Sequence, residues 1–247
     1  VARGTPVADL TRSIYLLWGH HPKPGRSGLT VPAIVEAGTE LADAHGLAAV
    51  SMRKVAEHLG VGAMSLYGYV PGKEDLTALM TDAAYGELYD DVTAPTEAGN
   101  WREAMRFVAR RNWELYERHP WLLEVRSPRP DLGPGVVGKY EAELRPLDGI
   151  GLSDVEMDSV LALILGHVAD SARTHAQHVR ENTGMTDVEW WDTVSPVLDQ
   201  VMRGENLPVS GRVGATVGTE FQAATDPEHN FTFGLEVILD GVQARLD

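Results

Sequence analysis

The chain has 247 residues, 43% of them hydrophobic, enough to bury a core in one large domain or two small ones. It contains no cysteine, which excludes disulfides, thiolate metal sites and a catalytic thiol. The formal net charge is −15 and the pI about 4.9, a balance unsuited to a body that lies along phosphate.

The acidity is unevenly placed. Residues 1–80 hold seven basic and seven acidic side chains, so the whole excess lies beyond residue 80. Any contact with DNA is therefore confined to the N-terminal part. No apolar run approaches the ~20 residues of a membrane helix. The run Ile14-Tyr15-Leu16-Leu17-Trp18 is too short for a signal-peptide core and is followed by no small-residue cleavage site. A cytoplasmic protein without a membrane partner is expected.

Apolar residues recur at helical spacing almost throughout, which predicts an all-α fold. Leu10, Ile14, Leu17 and Trp18 share one face of a short amphipathic helix, with disorder as the alternative. Residues 20–28, HHPKPGRSG, read as flexible chain, so residues 1–28 are assigned as an N-terminal arm. Lys23 and Arg26 suit an arm that reaches into a narrow minor groove. A first firm helix opens at Thr30 with Pro32 in its first turn, buries Ile34, Gly38, Leu41 and Ala42, and ends at Gly46. A second is capped by Ser51 and stopped by Gly60. A third spans about 62–70, and a long helix starts near Lys73 after Pro71-Gly72. Further helices are predicted at about 73–91, 100–118, 134–147, 153–181, 187–203, 210–225 and 228–246, with turn residues between them.

Two helices joined by a short Gly-containing turn describe a helix-turn-helix, here within residues 29–75. The second helix of such a pair enters the major groove N-terminus first. Gly62, Ala63, Met64 and Ser65 are small or apolar there, suited to close backbone approach and to thymine methyl groups. Arg53 can make a bidentate contact to guanine. Tyr67 and Tyr69 carry hydroxyls within reach of phosphate, and Lys73 sits at a helix N-terminus, where dipole and ammonium act together. On spacing alone, helix-turn-helix shapes also occur in proteins that bind no DNA, and Tyr67 could be core.

Residues 30 to about 80 resemble the DNA-binding domain of the tetracycline-repressor (TetR) family of bacterial regulators. The resemblance rests on the capped first helix, then "SMRKVAEHLGV", "MSLYGYV" and "GKEDL". The Leu-Tyr pair, the aromatic two positions on and the Lys after the turn are its most specific marks. Carried over, Arg53, Gly62, Ala63 and Ser65 fall where the family reads bases, and Ser51, Tyr67, Tyr69 and Lys73 where it grips phosphate. Gly62 departs from a common capping Ser or Thr, and Gly68 from a larger residue. "RHPWLLEV" and the tail "NFTFGLEVILDGVQARL" resemble the regulatory domain of the tetracycline-repressor-like branch found in actinobacterial regulators. The resemblance implies a homodimer on a palindromic double-stranded operator. It also implies an all-α body, residues 76–247, that encloses a small ligand, and a repressor released when that ligand binds.

The residues of the body allow this. Leu161, Ile164, Leu165 and Val168 on one helix and Leu235, Ile238, Leu239 and Val242 on the last form stripes that would make a four-helix dimer interface, ordinary core being the alternative. Aromatics mixed with isolated polar groups suggest a pocket for an apolar or aromatic ligand: Phe107, Arg110, Trp113, Tyr116, Trp121, His167, Ser171 and Thr174. His167, His175 and His178 share no i, i+4 pair, so neither a metal nor a cofactor is expected. No nucleophile elbow, phosphate loop or dinucleotide fingerprint is present to support an enzyme with a DNA-binding appendage. A regulator controlled by a protein partner remains the third reading.

Overall fold

A computed structural model describes residues 6–21, 28–125, 129–180 and 185–247. Among these residues there are helices and turns and no strand. Arg26 and Lys23 lie outside the described residues.

Within the arm expected over residues 1–28, helix α1 (Pro6–Leu17) takes the helical rather than the disordered alternative and begins earlier than its apolar stripe. Its predicted stripe is also split. Leu16 and Leu17 are buried, whereas Leu10, Ile14 and Trp18 are exposed. The helix is held because Ser13 Oγ donates to Asp75 Oδ1 at 2.8 Å and Trp18 Nε1 donates to the Leu132 carbonyl at 2.8 Å. These side-chain partners set its roll and turn Leu16, rather than Ile14, towards the core.

Helix α2 (Val31–His45) begins as its sequence dictates. Thr30 Oγ1 accepts the Ala33 N–H at 3.3 Å, and Gly46, with φ +77°, ends the helix in a backbone region that disfavours other residues. A 3-10 turn (Leu47–Ala49) leads to α3 (Met52–His58) and α4 (Ala63–Leu66). The third helix was expected to run to Val70. It stops at Leu66, whose carbonyl accepts both the Tyr69 and Val70 N–H groups and closes a tight turn. Helix α5 (Lys73–Gly86) then packs on α2, where a Cβ at Gly38 would lie 2.8 Å from Met80 Sδ.

The predicted helix 73–91 ends early, at Gly86, where another helix crosses it. A Cβ on Gly135 would lie 1.9 Å from the Asp82 carbonyl, so only glycine allows that approach. The crossing helix is α8 (Pro134–Leu144), and its cap residue Gly133 has no side chain to offer. Asp82 of α5 substitutes, accepting the Val136 N–H at 2.9 Å. Burial raises the Asp82 carboxyl above its ordinary value, and the backbone N–H bonds oppose that shift.

Between them lie α6 (Ala94–Glu97) and α7 (Trp101–Arg118), the latter opened by a capping box of Asn100 and Glu103. Pro146 turns the end of the predicted helix 134–147 into a 3-10 turn. Helices α9 (Asp154–Arg180), α10 (Asp187–Val201), α11 (Pro208–Phe221) and α12 (Pro227–Leu246) complete the chain. The body is organised around α9, which packs on α7 and on α12.

That packing gives the expected dimer stripes their ordinary-core alternative within one chain. Leu161, Ile164, Val168, Leu235, Leu239 and Val242 are all buried within one chain, and Leu165 and Ile238 pack partly against the same core. The two stripes face each other within one chain, and of the eight residues Leu165 and Ile238 keep partial exposure. The apolar residues turned outward on these helices are Val155, Leu163, Phe233 and Val237.

Candidate DNA interface and ligand cleft

The helix-turn-helix presents a small, exposed reading end. Ser51 caps α3 by accepting the Lys54 N–H at 3.3 Å. Arg53, with its side chain 77% exposed, holds only a loose contact to Glu57 at 3.8 Å and can be redirected at little cost. Gly62 caps α4 without a side chain, Ala63 packs partly on the core, and Ser65 is exposed. Met64, read from the sequence as suited to thymine methyl groups, is 81% exposed. So large an apolar side chain in water at the helix tip suits contact with an apolar group on a partner.

Behind the tip, Tyr67 is exposed and Tyr69 is half-buried against the core. Lys73 does not point away from the protein. Its ammonium donates to the Leu47 carbonyl at 3.2 Å and ties α5 to the turn after α2. Gly72 gives α5 no side-chain cap, which leaves its first-turn N–H groups open to an anion.

In the body, a cleft of about 320 Å³ lies between α7 and α9. Trp113, Tyr116 and Glu117 of α7, at i, i+3 and i+4, form one wall with Pro120 of the 3-10 turn Pro120–Glu124 just past the helix end, and Ala172, His175 and Ala176 the other, at i, i+3 and i+4. Of the eight expected pocket residues, Trp113 and Tyr116 line it. Trp113 packs between Phe231, at 4.7 Å, and His175, at 5.3 Å between ring centroids.

The other six have different surroundings. Phe107 packs on Tyr89, and the Arg110 guanidinium lies 5.3 Å over Phe231. His167 stacks on Phe231 and bonds its carbonyl at 2.9 Å, filling the gap left by Gly234. Thr174 donates to the Asp170 carbonyl one turn back, and Ser171 is half-buried beside it. Trp121 is fully buried and bonded to Asp43. His175, weighed in sequence only as a metal ligand, and the two alanines were missed because small residues carry no chemical signal of their own.

Tyr116 also joins a buried polar cluster. Its hydroxyl is hydrogen-bonded to that of Tyr85, and burial pushes both above the ordinary tyrosine range. Beside them the Glu143 carboxylate, fully buried, accepts from Tyr89 at 3.0 Å, Asn112 at 2.6 Å and Lys139 at 2.5 Å. Burial first, then the Glu143 carboxylate, raises the Tyr89 hydroxyl.

Residues 34–80 match the profile of bacterial regulatory proteins of the tetR family, and residues 94–246 that of the tetracyclin repressor-like C-terminal domain. The chain belongs to the TetR family of transcriptional regulators. Its likeness to one member covers nearly the whole length: the HTH-type transcriptional repressor DrrR1 of Streptomyces coeruleorubidus is 39% identical over 241 residues, 95% of this chain and 86% of that one. Among solved structures, ActR of Streptomyces coelicolor in complex with actinorhodin aligns with a TM-score of 0.69 at 25% identity, covering 87% of this chain and 96% of that one. Apo ActR shares the fold with a TM-score of 0.71 at 24% identity, over 91% and 98% of the two chains.

In this TetR-family chain the cleft and the reading head are joined at one corner. Pro120 lines the cleft, and its neighbours on both sides, His119 and Trp121, bond the same oxygen of Asp43 on α2, at 2.7 and 2.8 Å. The other ring nitrogen of His119 lies 3.4 Å from Glu87, just past the end of α5. Among the described residues no group of three His, Asp or Glu side chains is placed to hold a metal, and no helix is long and apolar enough to cross a membrane.

Proposed function

We propose that this TetR-family regulator is a cytoplasmic homodimeric repressor. It binds a palindromic operator and is released by a small aromatic or apolar ligand bound between α7 and α9, without catalysing a reaction. The observation that carries the reading is the placement of Pro120, which lines the cleft while His119 and Trp121 hold Asp43. A ligand that displaces the corner moves both bonds, and with them α2 against the body. Such a ligand shifts the protein between operator-spaced and unspaced forms by its differential affinity for the two. The repressor name of the 39% identical relative and the actinorhodin complex of a structural neighbour support the two halves of this reading.

The base contacts are assigned to Arg53, Gly62, Ala63 and Ser65, with Met64 added. The phosphate contacts are assigned to Ser51, Tyr67, Tyr69 and Lys73, with Lys73 swinging off the Leu47 carbonyl. The dimer face is reassigned to the outward apolar residues Val155 and Leu163 of α9 and Phe233 and Val237 of α12. The test is a binding-site selection on genomic DNA, followed by release of the selected fragment by planar aromatic compounds. A selection that enriches no inverted repeat would overturn the reading of the head. Failure of every compound to release an enriched fragment would overturn the reading of the cleft.

A further inference from the structure

Helix α1 is not among the elements by which a helix-turn-helix reads DNA, yet its surroundings suit that role. Residues 1–28 hold four Lys and Arg side chains against one acid, Asp9, in a chain of net charge −15. The helix is fixed across the first turn of α5 by the Ser13–Asp75 bond. That bond engages Asp75, which with Glu74 makes up the acidic first turn of α5.

So placed, α1 forms one wall of an open groove of about 720 Å³. Arg12, Tyr15 and His20 stand on this wall, and Tyr67, Tyr69 and Pro71 on the other. Tyr15 and His20 meet edge to face at 5.0 Å, and both are exposed. The groove is thus walled by tyrosines on both sides, with an arginine and a histidine on the α1 side, and is continuous with the residues assigned to phosphate.

We propose that α1 is a third DNA-contacting element, in which Arg12, Tyr15 and His20 hold the phosphodiester backbone next to the stretch held by Tyr67 and Tyr69. This rests on the reading of the helix-turn-helix as the operator-binding head. The contact is to backbone, so it adds affinity without sequence preference.

The test uses the full chain and fluorescence anisotropy on operator and unrelated duplex at several salt concentrations. Arg12→Ala with Tyr15→Phe should weaken both duplexes by the same factor, about tenfold, and lower the salt slope by about 1. Arg12→Lys with Tyr15 intact should restore the slope, which a merely structural role for α1 would not require. Unchanged affinity and slope in the double variant, with Tyr67→Phe weakening binding in the same assay, would overturn the role of α1 and leave the head as assigned. A wild-type chain that binds neither duplex would overturn both.

Discussion

Trp121 donates its indole N–H to Asp43 Oδ1 at 2.8 Å, a bond between residues 78 positions apart that ties the body to the first helix of the reading head. His119 reaches the same oxygen, so one carboxylate carries two of the links across this boundary. Trp121→Phe keeps most of the packing and removes one donor, at a cost of about 1 kcal/mol in stability. Operator affinity is expected to stay within about threefold of wild type, while the ligand concentration for half-release rises. An unaltered release curve would remove this corner from the signal path.

Cleft occupancy can be tested without knowing the ligand. Ala176→Leu adds three carbons to the wall opposite Trp113 and Tyr116. It should leave DNA binding intact and abolish release by compounds that act on wild type. Trp113→Ala is the poorer probe, since emptying a buried tryptophan site costs about 3–5 kcal/mol. Retained release by Ala176→Leu would move the binding site elsewhere in the body.

The two assignments of the α9 and α12 faces predict opposite behaviour. Leu163 is 57% exposed and Phe233 63% exposed, so Leu163→Glu with Phe233→Glu should give a folded monomer in sedimentation. Leu161→Ala, in the core, should instead destabilise each chain by about 2–5 kcal/mol. A double variant that remains dimeric would place the interface on another surface.

Glu156 gives a pH-dependent contribution of known sign. Hydrogen bonding to Arg245 first, then to the Ser153 backbone and hydroxyl, lowers its carboxyl from 4.5 to about 2. A depressed carboxylate stabilises the fold above its unfolded value, and the benefit is lost as pH falls from about 4.5 towards 2. The melting-temperature gap between wild type and Arg245→Gln should therefore be open at pH 7 and close across that window. A gap that persists at pH 2 would mean that Arg245 acts through packing alone.

Helix caps and turn residues announced most of the fold. Thr30, Ser51, Asn100 and Asp226 stand at helix starts as their chemistry demands. The misreadings have a common physical origin in tertiary contacts between distant residues. Nothing local in Ser13 or Trp18 points to Asp75 or Leu132, so the docking of α1 was not legible even where its helix was. The close approach of Gly135 to Asp82, which sets where α8 crosses α5, has no signal in the apolar pattern of either helix. The stripes of α9 and α12 were correctly found but match each other inside one chain, because an apolar period does not say which neighbour will cover it. In the cleft, Trp113 and Tyr116 were visible as large aromatics, whereas Ala172 and Ala176 matter only for the space they leave.

The split of charge along the chain has a kinetic meaning. A duplex approaching the acidic body from the side is turned away, while the neutral head at the other end of α5 offers no such barrier. Repulsion of this kind shortens every encounter made in the wrong orientation and weakens dwelling on unrelated sequence. The acidity that first argues against a DNA-binding role thus keeps the body off phosphate and leaves binding to the contacts of the head.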